Sequence, residues 1–275
     1  MLTCGKWPIG VCGTSWGGMP LDRIRDAIAS MGIDGIQLSL GPALEDTPEG
    51  HAYFEYAAQA GWRIFSTVIG FWWEDYSSRP NLRKTAGLLP DEHWEEAKSH
   101  FVRYAKMTKD LKSPFILFHA GFLEKAVPGR FEKMSYRLKT FADIAGENGI
   151  GILLETGQES AEDLRAYIEH IDHPALQVNL DPANLLSYHK DDPYNALEIL
   201  APWVKSIHAK DTIPFDDPDR GGVEQVWGDG VVNGYRFLNA LEAAGFDGTV
   251  SVEREGGANR LRDIATAVRR LSAFK

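Results

Sequence analysis

The chain has 275 residues, of which 44% are hydrophobic and 25% charged, and carries a formal net charge of −10. That length supports a full core in one domain, 1–275, because closed α/β barrels of about 250 residues normally fold as one unit. The acidic balance argues against a nucleic-acid groove, which needs concentrated Lys and Arg, and no apolar run approaches the roughly 20 residues of a membrane span.

In chain order, apolar runs bounded by Gly, Pro or Asp fall at 8–16, 34–40, 62–71, 113–121, 149–157, 175–182, 204–210 and 248–254. Each reads as a buried strand. Helical patterning fills the intervals. In 91–111, Trp94, Ala97, Phe101, Tyr104 and Leu111 share one face, while Glu95, Lys98, Lys106 and Lys109 face away; such a stripe marks an amphipathic helix. Eight alternations of strand and helix predict an α/β fold, the (β/α)8 TIM barrel, with its chemistry at the C-terminal rim of the strands.

The last four strands each end on a metal-type ligand: Glu155 in Ile-Leu-Leu-Glu-Thr-Gly, Asp181 in Val-Asn-Leu-Asp-Pro-Ala-Asn, His208 in Ser-Ile-His-Ala-Lys-Asp and Glu253 in Val-Ser-Val-Glu-Arg-Glu. One such residue is as easily a solvated loop group, but four in succession describe a cage for one divalent cation. Residues two apart on a strand share a face, so Asn179, Ser206 and Ser251 point inward one layer below Asp181, His208 and Glu253. Small polar groups there suit hydrogen bonds that orient the ligands.

On these residues, with Ile-His-Ala-Lys-Asp at 207–211 and Gly-Asp-Gly-Val-Val-Asn at 228–233, the chain resembles the xylose isomerase-like barrel superfamily over essentially its whole length. The similar branch holds ketose 3-epimerases, hydroxypyruvate isomerases and inosose dehydratases. The resemblance implies one divalent metal on Glu155, Asp181, His208 and Glu253, with Glu155 and Glu253 also serving as catalytic acid and base. Three positions depart from the epimerase pattern: Asn184 replaces a His, Thr212-Ile213-Pro214 replaces a segment with an Arg, and Gln37 replaces a Glu. The metal chemistry therefore carries over more firmly than the residues that recognise hydroxyls.

Three carboxylates and an imidazole form a hard site that favours Mn²⁺, with Mg²⁺, Co²⁺ and Zn²⁺ as alternatives. A cation chelated by a ketone oxygen and the adjacent hydroxyl would stabilise an enediolate, which two glutamates on opposite faces would form and quench. The expected enzyme is a metal-dependent sugar isomerase or epimerase acting on an unphosphorylated ketose or keto-polyol. A keto-inositol-type dehydratase, a trinuclear-zinc endonuclease and a non-catalytic sugar-binding barrel are the competing readings; the endonuclease lacks its additional histidines, with Gln37, Thr67 and Asn184 at the relevant places.

Expected substrate contacts are His119 at the end of the fourth strand, Lys210, Asn184, and the rim aromatics Trp16 and Trp72, with Phe71, Trp73 and Trp227 nearby. For each aromatic, loop anchoring is the competing role. His51, His93, His100, His170, His173 and His189 fall in helices or connections and read as surface or capping residues. Gly256 and Gly257 lie where barrels often bind phosphate, whereas Arg254 alternates away from Glu253. Cys4 and Cys12 offer no disulfide framework, and Cys12 reads as a core residue. The N-terminus lacks a signal-peptide pattern, so the expectation is a cytoplasmic enzyme, with a small-molecule partner, no nucleic acid, no membrane, and scope for a homo-oligomer.

Overall fold

Parallel strands covered on both faces are continuous apolar runs rather than alternating ones, and eight such runs close the barrel of the computed structural model, which describes residues 1–275. A short β1 (Thr3–Cys4) pairs antiparallel with the first barrel strand. The staves are β2 (Trp7–Cys12), β3 (Gly35–Ser39), β4 (Arg63–Val68), β5 (Phe115–Phe118), β6 (Gly151–Glu155), β7 (Leu176–Leu180), β8 (Val204–Ala209) and β11 (Thr249–Val252). All pair in parallel, and β2 closes the ring by pairing with both β3 and β11.

The outer layer consists of α1 (Leu21–Ser30), α3 (Pro48–Gln59), α5 (Trp94–Asp110), α6 (Arg130–Glu147), α7 (Ala161–Ile171), α9 (Pro193–Leu200), α10 (Gly234–Ala243) and α11 (Arg260–Ser272). Shorter helices α2 (Gly41–Leu44), α4 (Arg79–Thr85) and α8 (Pro182–Ser187) sit in the rim connections. No helix is long and apolar enough to cross a membrane.

Several strands are shorter than their apolar runs, because the last residues of each run leave the ladder to build the rim. The run 8–16, for example, ends as a strand at Cys12 and continues as a 3-10 turn over Gly13–Trp16. The rim also holds a hairpin that apolar periodicity does not mark: β9 (Asp211–Pro214) and β10 (Gly222–Gln225), paired antiparallel.

The principal core lies between staves and helices. On α5, Ala97, Phe101 and Tyr104 are buried as the spacing predicts, and Phe101 stacks on Phe141 with centroids 3.9 Å apart. Removing such a ring costs about 3–5 kcal/mol, since the cavity only partly collapses. Inside the barrel, Cys12, Val68, Leu117 and Leu153 form a small separate apolar cluster, and Gln37, Ser66, Asn179, Ser206 and Ser251 are also buried. A register shift between Ile36 and Gln37 makes Phe65 the extra residue of β4. Its ring occupies space that side chains at Gly10 and Gly35 would fill, with added Cβ atoms only 2.7 and 2.3 Å away.

Candidate metal centre and its cavity

At the rim, Glu155 ends β6, Asp181 follows β7, His208 lies in β8 and Glu253 follows β11. One ligand atom from each falls within 4.8 Å of the others. His208 Nδ1 is 3.1 Å from Glu155 Oε1, 3.3 Å from Asp181 Oδ2 and 3.2 Å from Glu253 Oε2. All four residues are buried.

Local structure sets each orientation. Asp181 caps α8, with Oδ1 accepting from the Asn184 backbone N–H at 2.8 Å, and Pro182 occupies the first turn, where a missing N–H costs nothing. Its other oxygen is thereby left for the centre. His208 Nε2 meets Gln37 Oε1 at 2.8 Å, while Gln37 Nε2 donates to Ser206 Oγ at 3.3 Å. The amide oxygen can only accept, so Nε2 carries the proton and Nδ1 is the ligand atom.

The electrostatics are those of a cation site. Burial opposes charge on His208, but the Glu253 and Glu155 carboxylates prevail and raise its pKa well above the ordinary imidazole value. Burial likewise opposes charge on Lys210, yet Glu253, Asp181 and Glu255 hold its pKa well above normal. Burial raises Asp181. For Glu253, burial is outweighed by His208 and Lys210, which hold it well below the usual carboxylate range, and for Glu155 by His119 and His208. Three carboxylates converging on one imidazole nitrogen fit a hard divalent ion. Cys12 also neighbours His208 and Glu253, but its thiol is pushed up to about 11, chiefly by burial, which makes it a neutral neighbour.

The centre opens into a cavity of about 610 Å³. Of the expected substrate contacts, His119, Asn184 and Lys210 line it. Asn184 Nδ2 donates to Glu155 Oε1 at 3.1 Å, His119 Nε2 lies 3.6 Å from Glu155 Oε2, and Lys210 Nζ lies 2.7 Å from Glu253 Oε2. Trp16 and Trp72 do not line it. Trp16 is buried in the core; Trp72 is 70% exposed, and its indole N–H donates to Glu96 on α5 at 2.8 Å. Of that aromatic run, Phe71 faces the cavity, and Trp73 stacks on His93. None of the six histidines set aside from the sequence lines it.

Tyr76, Arg79, Tyr188, Glu224 and Glu255 also line the cavity. Glu255 shares parity with Glu253 and was within reach of strand counting; the others come from connections without periodicity. The backbone N–H groups of Glu255 and Gly256, where a phosphate was conceivable, both donate to Glu224 Oε1, at 2.9 and 3.2 Å. Arg254 turns outward to Asp263 on α11 and to Glu224. Asp211 organises the neighbouring loop: its carboxylate accepts from the backbone N–H groups of Thr212, Gly228, Gly230 and Val232 at 2.9–3.1 Å. A Cβ at Gly230 would lie 2.2 Å from Asp211 Oδ1, which gives a reason for Gly-Asp-Gly at 228–230.

Residues 25–274 match the profile of the family described as xylose isomerase-like TIM barrel. A xylose isomerase domain protein from Planctomyces limnophilus superimposes with a TM-score of 0.86 at 26% identity, covering 98% of this chain and 96% of that one. A xylose isomerase-like barrel from Mycobacterium smegmatis, solved in complex with magnesium, gives 0.73 at 18% identity over 100% and 98%. An inosose dehydratase of Geobacillus thermodenitrificans (strain NG80-2) is 26% identical over 134 residues, a match spanning 43% of this chain and 45% of that protein.

Proposed function

This chain belongs to the xylose isomerase-like TIM-barrel family, and from that premise we propose that it is a divalent-metal-dependent isomerase or epimerase of a ketose or keto-polyol. The observation that carries the reading is the convergence of Glu155, Asp181 and Glu253 on His208 Nδ1 beneath an open cavity.

Glu155, Asp181, His208 and Glu253 would hold the ion; the magnesium in the Mycobacterium smegmatis relative supports a hard cation, and Mn²⁺ is our first choice. When bound, it supplies Lewis-acid polarisation of the substrate carbonyl and the adjacent hydroxyl. Glu253, kept ionised by Lys210 and His208, takes the α-proton, and the C–H electron pair moves toward the carbonyl oxygen. Glu155, itself resting ionised, first receives a proton from solvent by way of His119 and gives it to the opposite face of the same carbon, after which Glu253 releases the proton it took to solvent. Asn184 fixes the Glu155 carboxylate, which keeps the transfer geometry from drifting.

A dehydratase is the second reading, favoured by the inosose dehydratase relative and by the Lys210 ammonium beside Glu253. There Glu253 takes the α-proton and Lys210 protonates the departing β-hydroxyl, which leaves as water. Incubating the Mn²⁺-loaded protein with ketoses and keto-polyols in D₂O separates the two: solvent deuterium at the α-carbon with unchanged substrate formula indicates epimerisation or isomerisation, loss of water indicates elimination. Absence of both across the panel counts against either enzyme.

A further inference from the structure

Two guanidiniums in the cavity wall, Arg79 and Arg220, have no counter-ion, and only Arg79 has a buried nitrogen without a partner. Arg79, at the start of α4, lines the same cavity as Glu155 and Glu253. Its Cζ lies 3.3 Å from the centre of the Tyr188 ring. Opposite, Gly221 leaves room for it, because a Cβ there would approach Nη2 to 2.8 Å. Arg79 Nη1 is buried without a hydrogen-bond partner, and Asp219, whose charge reaches it, forms no ion pair with it.

The other cations differ. Lys210 is engaged by Glu253, Asp181 and Glu255, and Arg254 by Glu224 and Asp263. Arg220 is exposed and packs on Phe215. A planar guanidinium fixed on an aromatic ring with its donors unused is organised for a planar two-oxygen acceptor.

We propose that Arg79 holds the carboxylate of the substrate, so that the compound turned over is a hydroxylated keto acid. This rests on the carbonyl chemistry proposed above and narrows its substrate class. A carboxylate matches one fork. A phosphate dianion would call for further donors, and the backbone N–H groups of Glu255 and Gly256 are already taken by Glu224. Tyr188, which supports the guanidinium, closes the C-terminal end of α8, whose N-terminal cap is Asp181. One short helix therefore links the anion-holding group to the metal centre.

The test is calorimetric titration of the full-length protein with D-gluconate, sorbitol and sorbitol phosphate, both Mn²⁺-loaded and after EDTA treatment. Gluconate should bind about 10- to 100-fold more tightly than sorbitol, the range of a charge-assisted hydrogen-bond pair. The preference should persist in EDTA, where chelation cannot produce it. Arg79→Gln should abolish it and Arg79→Lys retain part, with circular dichroism unchanged and sorbitol affinity unmoved. Equal affinity for acid and polyol, acid binding indifferent to Arg79→Gln, no measurable acid binding, or an Arg79-dependent preference for the phosphate ester would each overturn the proposal. Failure of the wild type to bind Mn²⁺ would sink the metal-centred reading while leaving the EDTA titrations decisive for Arg79.

Discussion

Gln37 Oε1 accepts the His208 Nε2 proton across the barrel interior at 2.8 Å, and this contact decides which imidazole nitrogen faces the three carboxylates. Gln37→Leu keeps the volume but removes the acceptor, freeing the ring to flip. Mn²⁺ affinity should fall about 10- to 100-fold, read by calorimetry or by electron paramagnetic resonance of free Mn²⁺. Unchanged affinity would show that packing alone orients the ring.

The two-glutamate reading makes a reciprocal prediction. Glu155→Gln and Glu253→Gln each retain an oxygen ligand and lose the proton acceptor, so both should lose turnover at saturating Mn²⁺ while still binding it. One variant should exchange the α-proton of one epimer with D₂O without forming product, and the other should do so for the opposite epimer. Near-wild-type turnover in either leaves that glutamate a ligand only.

Asp211 is buried and its carboxylate accepts four backbone N–H groups. Asp211→Asn turns one acceptor into a donor facing N–H groups, which should destabilise the protein by on the order of 3 kcal/mol. Chemical denaturation measures the loss, and a change within error of zero would mean the loop is held elsewhere.

Glu159 gives a pH signature of stability. Burial pushes its pKa up to about 8 from 4.5, so between those values the folded state binds the proton that the unfolded state has released. Stability from this group is present below pH 4.5 and declines as pH rises toward 8. Glu159→Gln should remove that slope, raising Tm more at pH 8 than at pH 5, the ends of about this window. An equal rise at both would trace the gain to something other than titration.

Much of this architecture is legible in the sequence. Strand parity counted back from Asp181, His208 and Glu253 places Asn179, Ser206 and Ser251 among the buried residues, but the ligand-orienting hydrogen bonds expected of them are not made: the Asn179 amide and the Ser251 hydroxyl have no partner, and Ser206 meets Gln37 and Thr249. What escaped has identifiable causes. Gln37 stood out only as a departure from a pattern, because its role depends on a partner 171 residues away. An aromatic triplet does not announce which member turns inward, so the sequence points Trp72 at the cavity, whereas its indole N–H donates to Glu96 on another element. Arg79, Glu224 and the β9–β10 hairpin belong to connections whose conformation is set by long-range hydrogen bonds rather than by periodicity. The bulge at Phe65 shifted parity within one strand, which no count from the sequence anticipates.

The Asp211 anchor bears on how such a barrel can be re-engineered. Because the loop backbone over 228–232 is fastened from within by a buried carboxylate, its position does not depend on the side chains displayed toward the cavity. Ser187, which lines the cavity and meets Thr212 at 3.2 Å, can then be randomised opposite a stationary wall, whereas Thr212 also donates to the Val223 carbonyl within the hairpin and is kept. A library that spares Asp211 and Gly230 should preserve folding across most of its members, whereas one that includes them would spend its diversity on misfolded chains.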